Sequence, residues 1–367
     1  MNSLFILLAT ISASFFGDRN VKTVNVTCTF DEDEPETCII TDENYKQNEP
    51  NNFNILNADD TKDVINFRMV DGCHKVMPLN LFQLFPNLVK VEISTGLAAI
   101  SKENFIGGNK LKELILSGNK ISAIEAHTFD GMDELELIDL DSNKLTKVES
   151  NAFAGAIKLK NLDLRSNKIV TIEHGAFNIP TLEDIDLYNN NIVTLADDVF
   201  VGCPELKRVS LYANEFTRIG KSIDNVAKLN SVSFSNGELK IEDFDFYAIA
   251  RKPQLEKFVA QELGLVLDDP ASAAHDNYAA EYLDINGNDL SHTDILHRLR
   301  NFRNLKTLIL SENDFTTIDD IENILDYFPK LKELKVNKLP GKVEIVRRLR
   351  TKFGDKIKSH SNKIVFK

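Results

Sequence analysis

The stretch LKELILSGNKISAIEAHTFDGMDELELIDLDSNKL, residues 111–145, makes one statement twice, because LKELILSGN at Leu111 returns as LELIDLDSN at Leu135. Aligned on L-x-x-L-x-L-x-x-N, the template begins again at Leu88, Leu159, Leu182 and Leu206. Weaker copies begin at Leu229, Leu255, Ala280, Leu305 and Leu331, after a degenerate first copy near Val64. The copies lie 23 or 24 residues apart up to Leu229 and 25 or 26 apart beyond it. Chance does not produce twelve copies at so regular a spacing, so the repeat decides the fold.

Within each template alternate residues share a side: positions four and six turn one way as a short strand, and positions three, five and seven turn the other. One coil cannot bury its own leucines. Stacked at the ~4.8 Å spacing of paired strands, successive coils form one parallel sheet over a continuous apolar interior, and the period is that of leucine-rich repeats. In the later copies Ile295, Leu296, Leu299 and Phe302, then Ile321, Ile324, Leu325 and Phe328, recur at helical spacing. The expected fold class is an α/β solenoid. It is a leucine-rich repeat horseshoe with a parallel concave β-sheet, an irregular convex side in the N-terminal half and a helical convex side in the C-terminal half. The segment from Glu262 to Tyr282 has no repeat pattern after its first turn and reads as a loop or irregular coil.

Position nine is Asn at Asn119, Asn143, Asn167, Asn190, Asn214, Asn288 and Asn313, where the chain leaves the strand and backbone groups need partners. An amide buried there can bond the backbone of neighbouring coils. The ladder lapses at Gly237 and Leu263, which predicts irregular stacking at both. Phe82, Phe105, Phe129, Phe153, Phe177 and Phe200 precede their templates by five or six residues. They form a buried aromatic row under the convex side, which explains 23 Phe against 7 Tyr and no Trp.

The chain opens MNSLFILLATISASFFGD, an apolar run from Leu4 to Ile11 followed by small residues, with its first charge at Asp18. That is the pattern of a secretory signal peptide over residues 1–17. The chain is then expected to be extracellular, without a membrane span. Residues 18–63 form an N-terminal cap, 64–338 the solenoid and 339–367 a C-terminal capping helix and strand. The helix is KVEIVRRLRTKFG, with Val346, Leu349 and Phe353 on one face and Gly354 as its stop, and NKIVF is the last strand. Arg347, Arg348 and Arg350 read as solvent-facing charges.

In an oxidising compartment Cys28 and Cys38 are the natural disulfide pair. Cys203 shares a buried column with Met132, Ala156, Ile179 and Val226. Cys73 is about five coils away, on the order of 25 Å at ~4.8 Å per coil, beyond the ~7 Å reach of a disulfide. It either joins the N-terminal cap or is free for an intermolecular bridge. Asn25-Val26-Thr27 is an N-x-[ST] sequon, a candidate glycosylation site.

The net charge of −13 argues against nucleic acid as the main partner. It is unevenly spread, with eleven acids against two bases between Asp31 and Asp63 and nine bases against two acids between Lys342 and Lys367. The histidines are scattered, and there is no CxxC, no Gly-rich phosphate loop in context and no G-x-S-x-G elbow. No cofactor, metal site or catalytic residue is indicated. The sequence reads as a binding surface rather than an enzyme.

That surface is the concave face, where Asp139, Asp163 and Asp186 hold position five and Asp141, Arg165, Tyr188 and Tyr212 hold position seven, with Arg208 beside them. Such residues either keep the sheet soluble or make a partner-contact patch, and Tyr and Arg are the types enriched in interface anchors. The expected partner is a protein or a surface ligand such as a glycan, and the chain itself is expected to be a monomer or weak homo-oligomer. The alternatives on the same surface are an adhesion or matrix scaffold working by self-association, and an enzyme inhibitor.

The leader, the C-x9-C front segment, the entry LFQLFPNLVKVEI and the tandem L-x-x-L-x-L-x-x-N-x-[IL]-x-x-[IL] units with Phe together resemble insect extracellular leucine-rich repeat proteins. The likeness is to the mosquito leucine-rich repeat immune family in particular. It implies a secreted factor of pathogen recognition or complement control. Some members continue into paired cysteines and a coiled coil that join them to partners. Here no cysteine follows Cys203 and no heptads follow the repeats, so that mode of dimerisation is not expected.

Overall fold

The computed structural model describes residues 23–26, 28–30, 33, 36–40, 52–55, 61–70, 77–235, 243–267, 277–359 and 363–366. The leader, Cys73, Gly237 and the middle of the 262–282 segment lie outside the described residues. The fold is a leucine-rich repeat solenoid built on parallel strands, divided into two compact units, Met1–Ile185 and Asp186–Lys367.

In the first unit Thr29–Phe30 pairs antiparallel with Thr37–Ile40, and every later step in the ladder is parallel: Asn66–Val70, Lys90–Ser94, Glu113–Ile115, Leu137–Asp139 and Asn161–Asp163. The register carries one apolar row across these strands, Cys38, Phe67, Val91, Leu114, Ile138 and Leu162. Leu114, Leu140 and Leu164, at the inward positions of the template, are completely buried. Each such side chain contributes about 1.5–3 kcal/mol by leaving water. Behind them Phe82, Phe105, Phe129, Phe153 and Phe177 stand ring against ring, with centroids 5.4–6.4 Å apart. A disulfide between Cys28 and Cys38 ties the entering strand pair together.

In the second unit the inward row runs Val209, Val232, Phe258, Leu283, Leu308 and Leu334, then crosses to Ile364 on Lys363–Phe366, which runs antiparallel to Glu333–Lys335. Helical turns lie on the far side at Phe246–Ala250, Ile295–Arg298 and Ile324–Tyr327, each a single turn. Leu325 is only half-buried, because one turn aims Ile321, Ile324 and Phe328 inward and leaves their neighbour at the rim. A comparable turn, Leu81–Leu84, occurs in the first unit, where an irregular far side is expected; its Leu81 and Phe82 are buried. Cys203 is buried in the column predicted for it. Among the described residues no helix is long and apolar enough to cross a membrane.

From the Leu111 copy onward every described coil leaves its strand through a left-handed residue at position eight: Gly118 (φ 71°), Ser142 (55°), Ser166 (53°), Asn189 (54°), Ala213 (55°), Glu262 (53°), Gly287 (66°), Glu312 (55°) and Lys338 (54°); in the Leu88 copy it is Gly96 (91°), one position later. Where the next residue is the ladder Asn, the turn brings its amide beneath the strand; Glu262 and Lys338 make the same turn before Leu263 and Leu339. Asn143 shows the pattern. Its Oδ1 accepts from the Ile121 N–H of the preceding coil at 3.0 Å, and its Nδ2 donates to Leu116 O at 2.8 Å and to its own Leu140 O at 3.1 Å. Asn119, Asn167, Asn214, Asn288 and Asn313 repeat it, and Asn190 donates to Leu187 O.

This arrangement corrects the expectation of irregular stacking at Leu263. Each ladder Asn serves the exit of the coil before it, so the Leu263 N–H is satisfied by Asn288 Oδ1 at 2.8 Å although its own coil has no Asn. The strands Ser231–Ser235 and Lys257–Gln261 pair residue for residue over five positions.

The C-terminal helix spans Lys342–Phe353 and stops at Gly354 (φ 52°) as predicted, but its buried side chains are Ile345 and Leu349. Val346 is half-buried, so the inward stripe follows i, i+4, i+8 from Ile345 to Phe353, whose ring meets Phe366 edge-on at 5.8 Å. Arg348 is not a free surface charge either. It donates to Ile318 O at 2.8 Å and pairs with Glu322 at 2.5 Å, tying the helix to the coil before it. Arg347 pairs with Glu344 on the same helix.

Candidate functional site

Positions three, five and seven of each strand face away from the apolar interior, and the predicted contact residues lie there in two groups, one per unit. In the first unit the Asp139 Oδ1 accepts from the Asp141 N–H at 2.9 Å, and the Asp163 Oδ1 accepts from the Arg165 N–H at 3.1 Å. In the second unit Asp186 does the same for the Tyr188 N–H at 2.9 Å. Where a strand stops, the N–H two residues on loses its ladder partner, and a carboxylate at position five replaces it. The Asp column is therefore a backbone cap. That role leaves position seven as the group free to face a partner.

Arg165 links the first group, with Nε 2.9 Å from Asp163 Oδ2 and 3.7 Å from Asp141 Oδ1. Burial lifts the Asp139 carboxyl above its ordinary pKa, and Asp141 adds to the rise while the Asp141 N–H and Arg165 oppose it. One guanidinium thus serves two of three neighbouring carboxylates, and the patch stays acidic.

In the second unit Tyr188 and Tyr212 stack at 5.9 Å with rings 24° apart, and Tyr188 is 40% exposed. Arg208 lies exposed at the start of its strand Arg208–Leu211. Behind Tyr212 is a network that the sequence reading passed over. The Tyr212 hydroxyl donates to Gln261 Oε1 at 2.9 Å, and the same amide's Nε2 donates to Asp284 Oδ2 at 2.6 Å. Asp284 also accepts from the Asn286 N–H at 3.1 Å, so it belongs to the same capping column, in AEYLDINGN, as the three acids picked out from the sequence. Its place at position five was the available signal.

Asp284 lies in a sheet row between Val259 and Ile309, and all three are buried. Burial raises its pKa, with Asn286, Gln261 and Lys335 opposing. Beside it Tyr282 is pushed up to about 12 by burial and by the Asp284 charge, with Lys257 Nζ 5.5 Å from its ring centre. Burial also raises Tyr212. Among the described residues no group of three or more His, Cys, Asp or Glu is placed to hold a metal. Asn25 lies on the strand Thr23–Val26.

The model of BspA-type leucine-rich repeat regions matches residues 75–206 and 146–262, with six copies; together these ranges span just over half of the chain. No curated protein matches in sequence. Among solved structures the chain is similar to a leucine-rich repeat protein of Leptospira interrogans, with TM-score 0.63, 24% identity, and 78% of this chain and 71% of that one covered. It is similar to a chain of the LRIM1/APL1C complex, with TM-score 0.56, 15% identity, and 92% and 70% covered. It is also similar to the TLR13 of a TLR13–ssRNA13 complex, with TM-score 0.61, 18% identity and 76% of this chain covered, and it spans 44% of that chain's length. Those likenesses establish the fold, and the matched repeats establish the kinship: the chain belongs to the family of BspA-type leucine-rich repeat proteins.

Proposed function

We propose that the chain is an extracellular recognition protein that captures a protein or surface-glycan partner on its outward sheet face, in insect innate immunity as the sequence resemblance implies. The observation that carries the reading is the Tyr188–Tyr212 stack, an aromatic pair exposed on one side and fixed on the other by Gln261. An aromatic ring held on a hydrogen-bonded strand brings large contact area and loses little freedom on binding. Export is supported by the apolar leader and by the Cys28–Cys38 disulfide. The net charge of −13 opposes a polyphosphate ligand.

The test is affinity capture from haemolymph or an equivalent fluid, comparing the full chain with the double variant Arg165→Ala, Tyr188→Ala. Both positions are at the surface, so the melting temperature stays unchanged while a specific partner is lost from the captured set. A captured set identical for both proteins would overturn the reading.

A further inference from the structure

Next to the disulfide-tied cap, the outward sheet face of the first unit carries a shallow recess of about 70 Å³, well below the ~300–1,000 Å³ of an enclosing small-molecule site and so able to seat one edge of a ligand rather than enclose it. Among the described residues it is lined by Thr37, Asn66, Phe67, Arg68, Lys90 and Glu92. The strand register explains why these meet: Thr37, Asn66 and Lys90 form one row across three strands, and Arg68 and Glu92 form the next outward row. Thr37 precedes Cys38, so the disulfide holds one wall in place. The Phe67 ring is buried in the interior and gives the recess no aromatic floor.

The polar groups come in donor–acceptor pairs. Arg68 Nε is 3.1 Å from Glu92 Oε2, and Lys90 Nζ is 3.4 Å from Glu113 Oε2. Asn66 Nδ2 donates to Thr37 Oγ1 at 3.2 Å, which sets the orientation of its amide. An incoming anion would meet cations already neutralised and a carboxylate that repels it. An apolar molecule would have to strip water from ion pairs. A sugar hydroxyl both donates and accepts, and a guanidinium beside a carboxylate presents the complement of two adjacent hydroxyls.

We propose that this recess is a subsite for a neutral pyranose unit of a glycan, held by Asn66, Arg68, Lys90 and Glu92. The inference rests on the reading of the outward face as ligand-facing, and it names the ligand class for one end of it.

Saturation-transfer NMR on the full chain tests it, with methyl glycosides of glucose, mannose, galactose and N-acetylglucosamine as probes and sodium sulfate as competitor. At least one glycoside is expected to give a saturable signal that sulfate does not displace. Asn66→Ala and Arg68→Ala, each with an unchanged melting temperature, should weaken that binding about fivefold and about tenfold, the effects of losing a neutral and a charge-assisted hydrogen bond respectively. Glu92→Gln, which keeps an acceptor, should retain binding better than Glu92→Ala. Silence from all four glycosides, binding indifferent to both Ala variants, or displacement by sulfate would overturn the proposal. The partner-capture test depends on Arg165 and Tyr188, neither of which lines the recess. Capture lost in the double variant beside a silent recess overturns the glycan subsite alone, and glycoside binding beside unchanged capture overturns the partner reading alone.

Discussion

Replacing Asn167 by Ala tests the physics on which the stack depends. The Asn167 amide is 7% exposed. Its Oδ1 accepts from the Leu145 N–H at 3.0 Å, and its Nδ2 donates to Leu140 O at 2.9 Å, Leu164 O at 3.0 Å and Arg165 O at 3.1 Å. Ala leaves the Leu145 N–H buried without a partner, a cost of about 1–3 kcal/mol, and removes further bonds worth about 1 kcal/mol each. Leu140 O keeps Asn143 Nδ2 at 3.1 Å, which limits the damage on that side. The expected total is about 3 kcal/mol, measured as a shift of the urea midpoint at constant m. In hydrogen exchange the Leu145 amide should lose more protection than its neighbours.

Asn167→Asp sharpens the test. The new carboxyl can still accept from Leu145 but faces three carbonyl oxygens, so its folded pKa rises above the ordinary ~3.9. Stability tied to such a group is present below the unfolded pKa and lost as pH rises through the folded one. The Asp variant should therefore be far weaker than wild type at pH 7 and closer to it at pH 4. An Ala variant within 1 kcal/mol of wild type, or an Asp variant equally stable at both pH values, would refute the account.

Asp284→Asn removes a carboxylate whose pKa burial has raised, so by the same sign rule it should flatten the fall in stability between pH 4 and pH 7 and leave the protein at least as stable at pH 7; paired urea titrations decide this. In alkaline absorbance titration Tyr282 should ionise near pH 12, a late step that Tyr282→Phe abolishes; stability linked to this group is intact below the unfolded value near 10 and declines above it. Gly118→Ala should cost about 1–2 kcal/mol, since φ is 71° and the added methyl would sit 3.0 Å from Ser94 Oγ, whereas Ala213→Gly at φ 55° should be neutral or stabilising by up to about 1 kcal/mol in thermal unfolding. Arg348→Ala should loosen the C-terminal helix, seen as faster exchange over Lys342–Phe353, with little change in the first unit.

The apolar columns were legible because the strand period and the repeat period both write themselves as leucines: Leu114, Leu140, Leu164 and the Phe row lie where the template puts them. The asparagines were legible for the same reason, although the direction of their service was not. Nothing in the spacing says that Asn288 works for the coil before it, and that is why Leu263 was misjudged. The capping role of Asp139, Asp163, Asp186 and Asp284 was hidden because a carboxylate on the polar side of a strand looks alike whether it faces water or its own backbone. The Val346 error has a similar origin. Over three turns i, i+3, i+7 and i, i+4, i+8 fit the same apolar residues, and only the partner surface chooses Ile345. The Tyr212–Gln261–Asp284 chain joins residues up to 72 positions apart in sequence and has no local signal at all.

The backward service of the asparagines has a genetic corollary. Asn143 and Asn167 make the same bonds to the coil that precedes each of them, and the strands Leu137–Asp139 and Asn161–Asp163 occupy equivalent register positions. An in-frame excision of residues 136–159 would bring Asn167 against Leu116 and Ile121, the partners that Asn143 has now. Whole turns are thus interchangeable parts, and a lineage carrying this gene can lengthen or shorten its binding ribbon by slippage between copies without redesigning a single joint.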